Sequence, residues 1–231
     1  AELDEEGPSD HFKALDPESW YLHDSGGKLV NHSGCGNTLR CDHALVWRLL
    51  RESLEYWAKV MGVDGFRFDL APILNRDSAG NLRDTPDFFR KLQDDPALAG
   101  IKLIAEPWDA GGGYQLGQAS QSEWAEWNDR FRDTIRRAVR GDKGQMAGLA
   151  DALSGSPEVF GRSTQRRCLS VNFLSAHDGL TLHDLVAYSE KHNHANGEDN
   201  RDGHTPDFSR NCGIEGATED TVVLELRQRK L

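Results

Sequence analysis

The chain has 231 residues, and 27 Lys+Arg against 38 Asp+Glu give a formal net charge of −11. That balance excludes nucleic-acid binding as a primary role: attraction to phosphate needs a cationic face, and the basic runs Arg136-Arg137 and Arg166-Arg167 are too short to make one. No stretch nears the roughly 18 apolar residues of a membrane span, and Ala1–Asp10 has the wrong charge and polarity for a secretion signal.

Residues 1–41 show no sustained periodicity and are rich in Gly, Asp, Ser and His, which predicts a long loop; the pair Trp20-Tyr21 implies that it lies against something. The chain opens on Ala1 and its first methionine is Met61, so either a removed leader or a longer parent protein is expected. Cys35, Cys41, Cys168 and Cys212 have no C-x-x-C spacing. Scattered thiols in a reducing cytoplasm are expected, since a Cys35–Cys41 bridge would need an oxidising compartment.

After a candidate N-cap at Asp42, the residues Val46, Leu50, Leu54, Trp57 and Met61 recur at helical spacing until Gly62, which predicts a helix over 44–61. In Val63–Asp69, alternation puts Gly65, Arg67 and Asp69 on one face of a strand and Phe66, Phe68 and Leu70 on the other. Phe88, Phe89 and Leu92 suggest a short helix, and Ile101–Glu106 reads as a buried strand ending in a carboxylate. Residues 123–128 fit either a strand or a first helical turn. From Asp129 the residues Phe131, Ile135, Ala138 and Val139 make a helix face that stops at Gly141. Val171–Asp178 reads as a strand, Leu180–Tyr188 as a helix and 190–217 as a polar loop. Thr218-Glu219-Asp220 looks like a cap for a last helix over 220–229.

Strands alternating with helices imply a parallel sheet covered by helices. Three of these strands carry Asp69, Glu106 and His177-Asp178 at their C-terminal ends, where (β/α)₈ barrels keep their active sites. A doubly wound sheet would be expected to carry a glycine-rich phosphate turn; no such motif occurs, and Gly111-Gly112-Gly113 is a weak candidate because no helix start follows it.

Carboxylates gathered at strand ends beside an arginine and a histidine are what glycoside hydrolysis requires. One carboxylate must be ionised to attack or stabilise an oxocarbenium-like centre, and another must be protonated to serve the leaving oxygen. Arg67 lies on the same strand face as Asp69 and can keep it ionised; a simple ion pair is the alternative for those two residues alone.

Gly65–Asp69, Ala105–Asp109 and Phe173–Asp178 resemble, in order, three signature regions of the alpha-amylase superfamily of glycoside hydrolases. The blocks Asn31–Leu39, Glu190–Gly203 and Asn211–Gly216 are similar to those of isoamylase-type glycogen debranching enzymes. The resemblance covers nearly the whole chain. It implies Asp69 as nucleophile, Glu106 as general acid/base, Asp178 as the acid that stabilises the transition state, Arg67 as the residue orienting Asp69, and His177 as a donor to sugar hydroxyls. Trp108 and Tyr114 are candidates for stacking on glucosyl rings, with plain packing as the alternative. Asn128 and Asp129 are candidates for a substrate contact on the sixth strand, with a helix cap as the alternative.

The D-x-x-x-N-H segment of the superfamily's third strand is absent. The resemblance therefore implies an internal fragment: a partial (β/α)₈ barrel of roughly strands four to seven, within one catalytic domain spanning 1–231, with 1–41 and 190–217 as catalytic-face loops. Unpaired edge strands would leave such a chain poorly stable alone and prone to aggregate. The implied substrate is a branched α-glucan cut at α-1,6 links with retention. An α-1,4-acting hydrolase or transglycosylase is one alternative, and an inactive glycan-binding remnant is another. No cofactor is expected. A calcium loop starting at Glu198 would place Asn200, Asp202 and Gly203 acceptably but end on Ser209 where a glutamate is needed, and His192-x-His194 lacks a second ligand pair at zinc spacing. Nothing in the sequence speaks to oligomeric state.

Overall fold

The computed structural model describes residues 11–161, 169–203 and 205–231; Ala1–Asp10, Arg166, Arg167 and Cys168 lie outside them. The chain divides into two compact units, residues 1–127 with 162–171 and residues 128–161 with 172–231.

A four-stranded sheet forms the centre of the first unit, with β1 (Gly65–Phe68), β2 (Lys102–Ala105), β3 (Ala125–Asn128) and β4 (Ser170–Asn172) adjacent in that order. Only the last residues of β3 and β4 fall in the other unit. β1 pairs with β2 in parallel, Gly65 opposite Lys102 through Phe68 opposite Ala105, and β2 pairs with β3 in parallel, Ile104 opposite Ala125. Of residues 123–128, 125–128 thus resolve as a strand, and Glu123 sits in a turn with φ 65°. The pairing needs a glycine at its start: a Cβ on Gly65 would sit 2.7 Å from the Lys102 carbonyl oxygen.

The apolar face expected of β1 points into the core. The Phe68 ring lies 4.8 Å from Trp124, which lies 4.9 Å from Phe89. Phe88, Phe89 and Leu92 of the Asp87–Gln93 helix join Val46, Leu103 and Ala105 in the same cluster. Full burial of a side chain such as Leu92 or Phe89 contributes about 1.5–3 kcal/mol. The first long helix, Ala44–Lys59, turns Val46, Leu50 and Leu54 to this core, whereas Trp57 and Met61 are exposed. Its N-cap is His43, whose Nδ1 accepts from the Leu45 N–H at 3.3 Å, because the expected cap Asp42 faces Arg40 instead.

The opening segment is more ordered than a plain loop. It holds the short helices His11–Leu15 and Pro17–Trp20 and antiparallel bridges between Tyr21 and Leu39 and between His23 and Leu29. Phe12 stacks on Trp20 at 4.1 Å and Tyr21 is buried, so the aromatic pair does lie against structure.

In the second unit the helix Asp129–Arg140 starts at Asn128, whose side chain accepts from the Phe131 N–H at 2.9 Å, and stops at Gly141 with φ 97°. Its buried residues are not those of the expected apolar face but Arg132 and Arg136. Arg136 donates to the carbonyls of Leu174 (2.9 Å from Nε) and Asp207 (3.1 Å from Nη1), so a guanidinium takes a place that sequence assigned to aliphatic carbons. The same contact explains why β4 is short: the carbonyl of Leu174 is bound by an arginine, and Ser175 Oγ donates to the Leu180 carbonyl at 2.8 Å, so the chain leaves strand geometry before His177 and Asp178. The helix expected over 180–188 is only Asp184–Ala187. The last helix is Thr221–Lys230, with the Asp220 carboxylate accepting from the N–H groups of Val222 and Val223. Among the described residues, no helix is long and apolar enough to cross a membrane.

Candidate active site

Alternation on β1 sets Arg67 on the face opposite Phe66 and Phe68. Continuing the register one residue past Phe68 and Ala105 brings Asp69 opposite Glu106. Arg67 joins them: Nη1 donates to Asp69 Oδ1 at 2.8 Å, and Nη2 lies 2.9 Å from Glu106 Oε2. The second contact is an ion pair without hydrogen-bond geometry, so the buried Nη2 and Nε retain donor capacity. Trp127 on β3 holds the guanidinium 4.2 Å from its ring centroid, a cation–π contact.

The two carboxylates have different surroundings. The side chain of Asp69 is 68% exposed and that of Glu106 3%. Burial raises the pKa of Glu106 above the ordinary value; the Leu70 N–H, 2.9 Å from Oε2, and the charge of Arg67 oppose this, while the charge and hydrogen bonding of Asp69 add to it. An exposed, ion-paired carboxylate beside a buried one that holds its proton more tightly is the division of labour a double displacement uses. Leu70 adopts left-handed backbone, φ 45° and ψ 50°, so that its N–H turns back to Glu106 while the Ala71 N–H reaches the Glu106 carbonyl at 2.9 Å. Such strain at a non-glycine costs roughly 1–3 kcal/mol.

Immediately after Glu106 the chain makes a small hairpin in which half-buried Trp108 bridges to Tyr114, 50% exposed. The glycines between them cradle the side chain of Asp109: the N–H groups of Gly111 and Gly113 donate to its Oδ1, at 3.0 and 2.7 Å.

His177 and Asp178 belong to the second unit, on the segment beyond β4. His177 Nε2 lies 3.5 Å from Asp178 Oδ1, and both side chains are more than half exposed. Asn128 is fully buried; its Oδ1 serves the helix cap and its Nδ2 donates to Ser156 Oγ at 2.9 Å. Asp129 is half-buried in the first turn of the same helix. The polar loop is held by its own acids: Glu215 accepts from His192 and Asn211, both at 2.9 Å, and Asp202 accepts from Asn196 at 2.8 Å. Among the described residues, no group of three or more His, Cys, Asp or Glu is placed to hold a metal ion.

No family model matches the chain. Known proteins do. The glycogen debranching enzyme of Dickeya chrysanthemi is 47% identical over 230 residues, 99% of this chain and 34% of that protein. The rice protein named isoamylase 3, chloroplastic, is 44% identical over 223 residues, 95% of this chain and 28% of that protein. The glycogen operon protein GlgX homolog of Mycobacterium tuberculosis is 42% identical over 234 residues, 97% and 31%. This chain is a homologue of the isoamylase-type glycogen debranching proteins. It spans about a third of the length of these relatives. Solved structures similar to this chain include a pullulanase from Bacillus acidopullulyticus, at TM-score 0.61 and 26% identity over 75% of this chain and 22% of that one. A second, from an Anoxybacillus species in complex with maltotetraose, has TM-score 0.57 and 27% identity over 71% and 25%. The fold is α/β with a parallel sheet, and its neighbours are pullulanases.

One residue beside Arg67 was not foreseen from sequence. Trp127 lies beneath Arg67, whereas its neighbour Glu126, in register with Ala105, belongs to the opposite face of the sheet; it is fully buried, accepts from the N–H groups of Ser120 (2.6 Å) and Gly117 (2.7 Å), and burial pushes its pKa up to about 7. Both assignments required knowing that residues 125–128 form a strand.

Proposed function

We propose that this chain carries the catalytic centre of a glycoside hydrolase that debranches glycogen or related α-glucans at α-1,6 links by a retaining double displacement. The single guanidinium of Arg67 between exposed Asp69 and buried Glu106 carries the proposal. Asp69 attacks the anomeric carbon while Glu106 gives its proton to the departing 6-oxygen, which forms a covalent glucosyl-enzyme. Glu106, now ionised, takes a proton from water, and the water oxygen displaces Asp69 with a second inversion. Asp178 stabilises the oxocarbenium-like transition state, His177 donates to sugar hydroxyls, and Trp108 and Tyr114 stack on glucosyl rings. Asn128, which also caps the helix, and Asp129 are the substrate contacts proposed at the end of β3.

In the same reading β1 to β4 are strands four to seven of a (β/α)₈ barrel, 1–231 is part of one catalytic domain, and 1–41 and 190–217 are loops of its catalytic face. The substrate is a branched α-glucan and the compartment a reducing one, the cytoplasm in a bacterium; the described thiols Cys35, Cys41 and Cys212 are free. The names isoamylase, debranching enzyme and pullulanase among the similar proteins favour α-1,6 over α-1,4 cleavage.

The test is an assay of the protein as it occurs, with whatever flanks these residues, on a branched limit dextrin and on a linear maltooligosaccharide. Release of linear chains from the dextrin, with the linear sugar untouched, supports the proposal. Rapid cleavage of the linear sugar moves the assignment to an α-1,4-acting hydrolase or transglycosylase, and failure on both leaves a glycan-binding remnant.

A further inference from the structure

The loop Asn31–Leu39 and the hairpin Trp108–Tyr114 are far apart in sequence, yet one imidazole connects them. A Cβ built on Gly111 would fall 2.2 Å from His32 Nδ1, and one on Gly80 would fall 3.5 Å from His32 Nε2, so the ring is seated between two turns that are glycine where they meet it. A Cβ on Gly34 would lie 3.2 Å from the Ala110 Cβ, which makes the contact between loop and hairpin a second time.

Both turns are tied to one buried ion pair. Arg76 Nη1 donates to the Gly80 carbonyl at 2.6 Å, and its Nη2 pairs with Asp109 Oδ2 at 2.5 Å. Asp109 fixes the hairpin from within through the N–H groups of Gly111 and Gly113, and a Cβ on Gly113 would lie 2.6 Å from its Oδ2. The loop side is equally bound: the His32 N–H donates to Thr38 Oγ1 at 2.8 Å, and Thr38 Oγ1 donates to the Val30 carbonyl at 2.9 Å. Burial and the charge of Arg76 hold the His32 pKa below its ordinary value, with Asp109 opposing, so the ring sits neutral against the arginine. Arg76 and Asp109 are buried and His32 is half-buried, whereas Tyr114 is 50% exposed.

We propose that His32, seated between Gly80 and Gly111, is a positioning residue that sets the Tyr114 ring for stacking on a glucosyl unit beyond the one cleaved. The inference rests on the functional reading above and deepens it. Without the imidazole the hairpin keeps its internal Asp109 turn but loses the wedge that fixes its direction. A long glucan then meets a misplaced aromatic face, while a one-sugar substrate, which ends at Asp69 and Glu106, meets an unchanged site.

Steady-state kinetics on the protein as it occurs test this, with a branched dextrin as the long substrate and α-glucosyl fluoride as the short one. His32→Ala should raise KM for the dextrin by about tenfold, the worth of one aromatic contact, with kcat within about twofold and the fluoride kinetics unchanged. Gly111→Ala, which expels the ring without altering it, should do the same and serves where His32→Ala does not fold. In a Tyr114→Ala background, His32→Ala should add nothing further to KM, because it acts through that ring. Equal losses on both substrates, an additive double variant or unchanged dextrin KM overturns the inference while leaving wild-type activity as found. Wild-type inactivity on both substrates overturns the functional reading and this inference together.

Discussion

Replacing Glu126 by glutamine should make the stability of the protein respond differently to pH. The wild-type carboxyl is fully buried, with only the N–H groups of Gly117 and Ser120 and the Ser120 hydroxyl to support its charge, and its pKa rises from 4.5 to about 7. A carboxylate whose folded pKa lies above its unfolded value stabilises the fold fully below the unfolded value, and that stability is lost as pH rises through the folded one. From 4.5 to about 7 the difference corresponds to about 3 kcal/mol. Glutamine has the same shape and no titration, so urea denaturation of both proteins across this range isolates the single group, every other titration cancelling in the difference. The variant starts less stable at acid pH, because its amide presents a donor to one of two backbone donors, at roughly 1–3 kcal/mol. Its deficit should then shrink, or reverse, by about 3 kcal/mol toward pH 8 to 9. A deficit that stays constant or widens with pH would refute the reasoning.

Asp69→Asn should abolish formation of a glucosyl-enzyme from an activated glucosyl fluoride, whereas Glu106→Gln should retain it, since fluoride departs without a proton; intact-protein mass spectrometry reads the adduct, and equal loss in both variants would mean the roles are misassigned. Arg67→Met removes a charge that pulls the Glu106 pKa down, so the protonated acid should persist to higher pH and the basic limb of kcat/KM should move upward, with a loss of about 10²-fold from misplacing Asp69; a limb moving to lower pH would contradict the assignment. Gly65→Ala would place a methyl 2.7 Å from the Lys102 carbonyl oxygen and should destabilise by about 1–3 kcal/mol, seen as a lower urea midpoint at unchanged m. An unchanged midpoint would show that β1 and β2 can part without loss.

What was legible in the sequence was whatever depends on short-range pattern. Phe66 and Phe68 alternating with Arg67 and Asp69 placed β1, its core face and its polar face, and Phe88, Phe89 and Leu92 placed a helix whose three residues are all buried. What was not legible depends on partners distant in the chain. The expected face of the Asp129–Arg140 helix is half-buried at Phe131 and Ile135 and exposed at Val139, while Arg136 is buried because two carbonyls, of Leu174 and Asp207, wait for it. The strand expected to run to Asp178 ends at Asn172 for the same reason. The pairing of Arg67 with Asp69 could be foreseen from their spacing; the approach of Glu106 required the β1–β2 register, and Trp127 required knowing that residues 125–128 form the next strand.

The matched positions of Asp69 and Glu106 on neighbouring parallel strands have a stereochemical corollary. Adjacent strands lie about 4.7–4.9 Å apart, and a retaining pair of carboxyl groups wants about 5–5.5 Å, against roughly 6.5–9.5 Å for an inverting pair. Side chains leaving two such strands at the same level begin close to the shorter separation without help from any loop. A pair destined for inversion would have to skip a strand or offset its level along the sheet to admit a water between the acids. Under the retaining mechanism proposed above, the backbone ladder of β1 and β2 supplies that starting separation, which leaves the surrounding loops free to diverge in what they recognise.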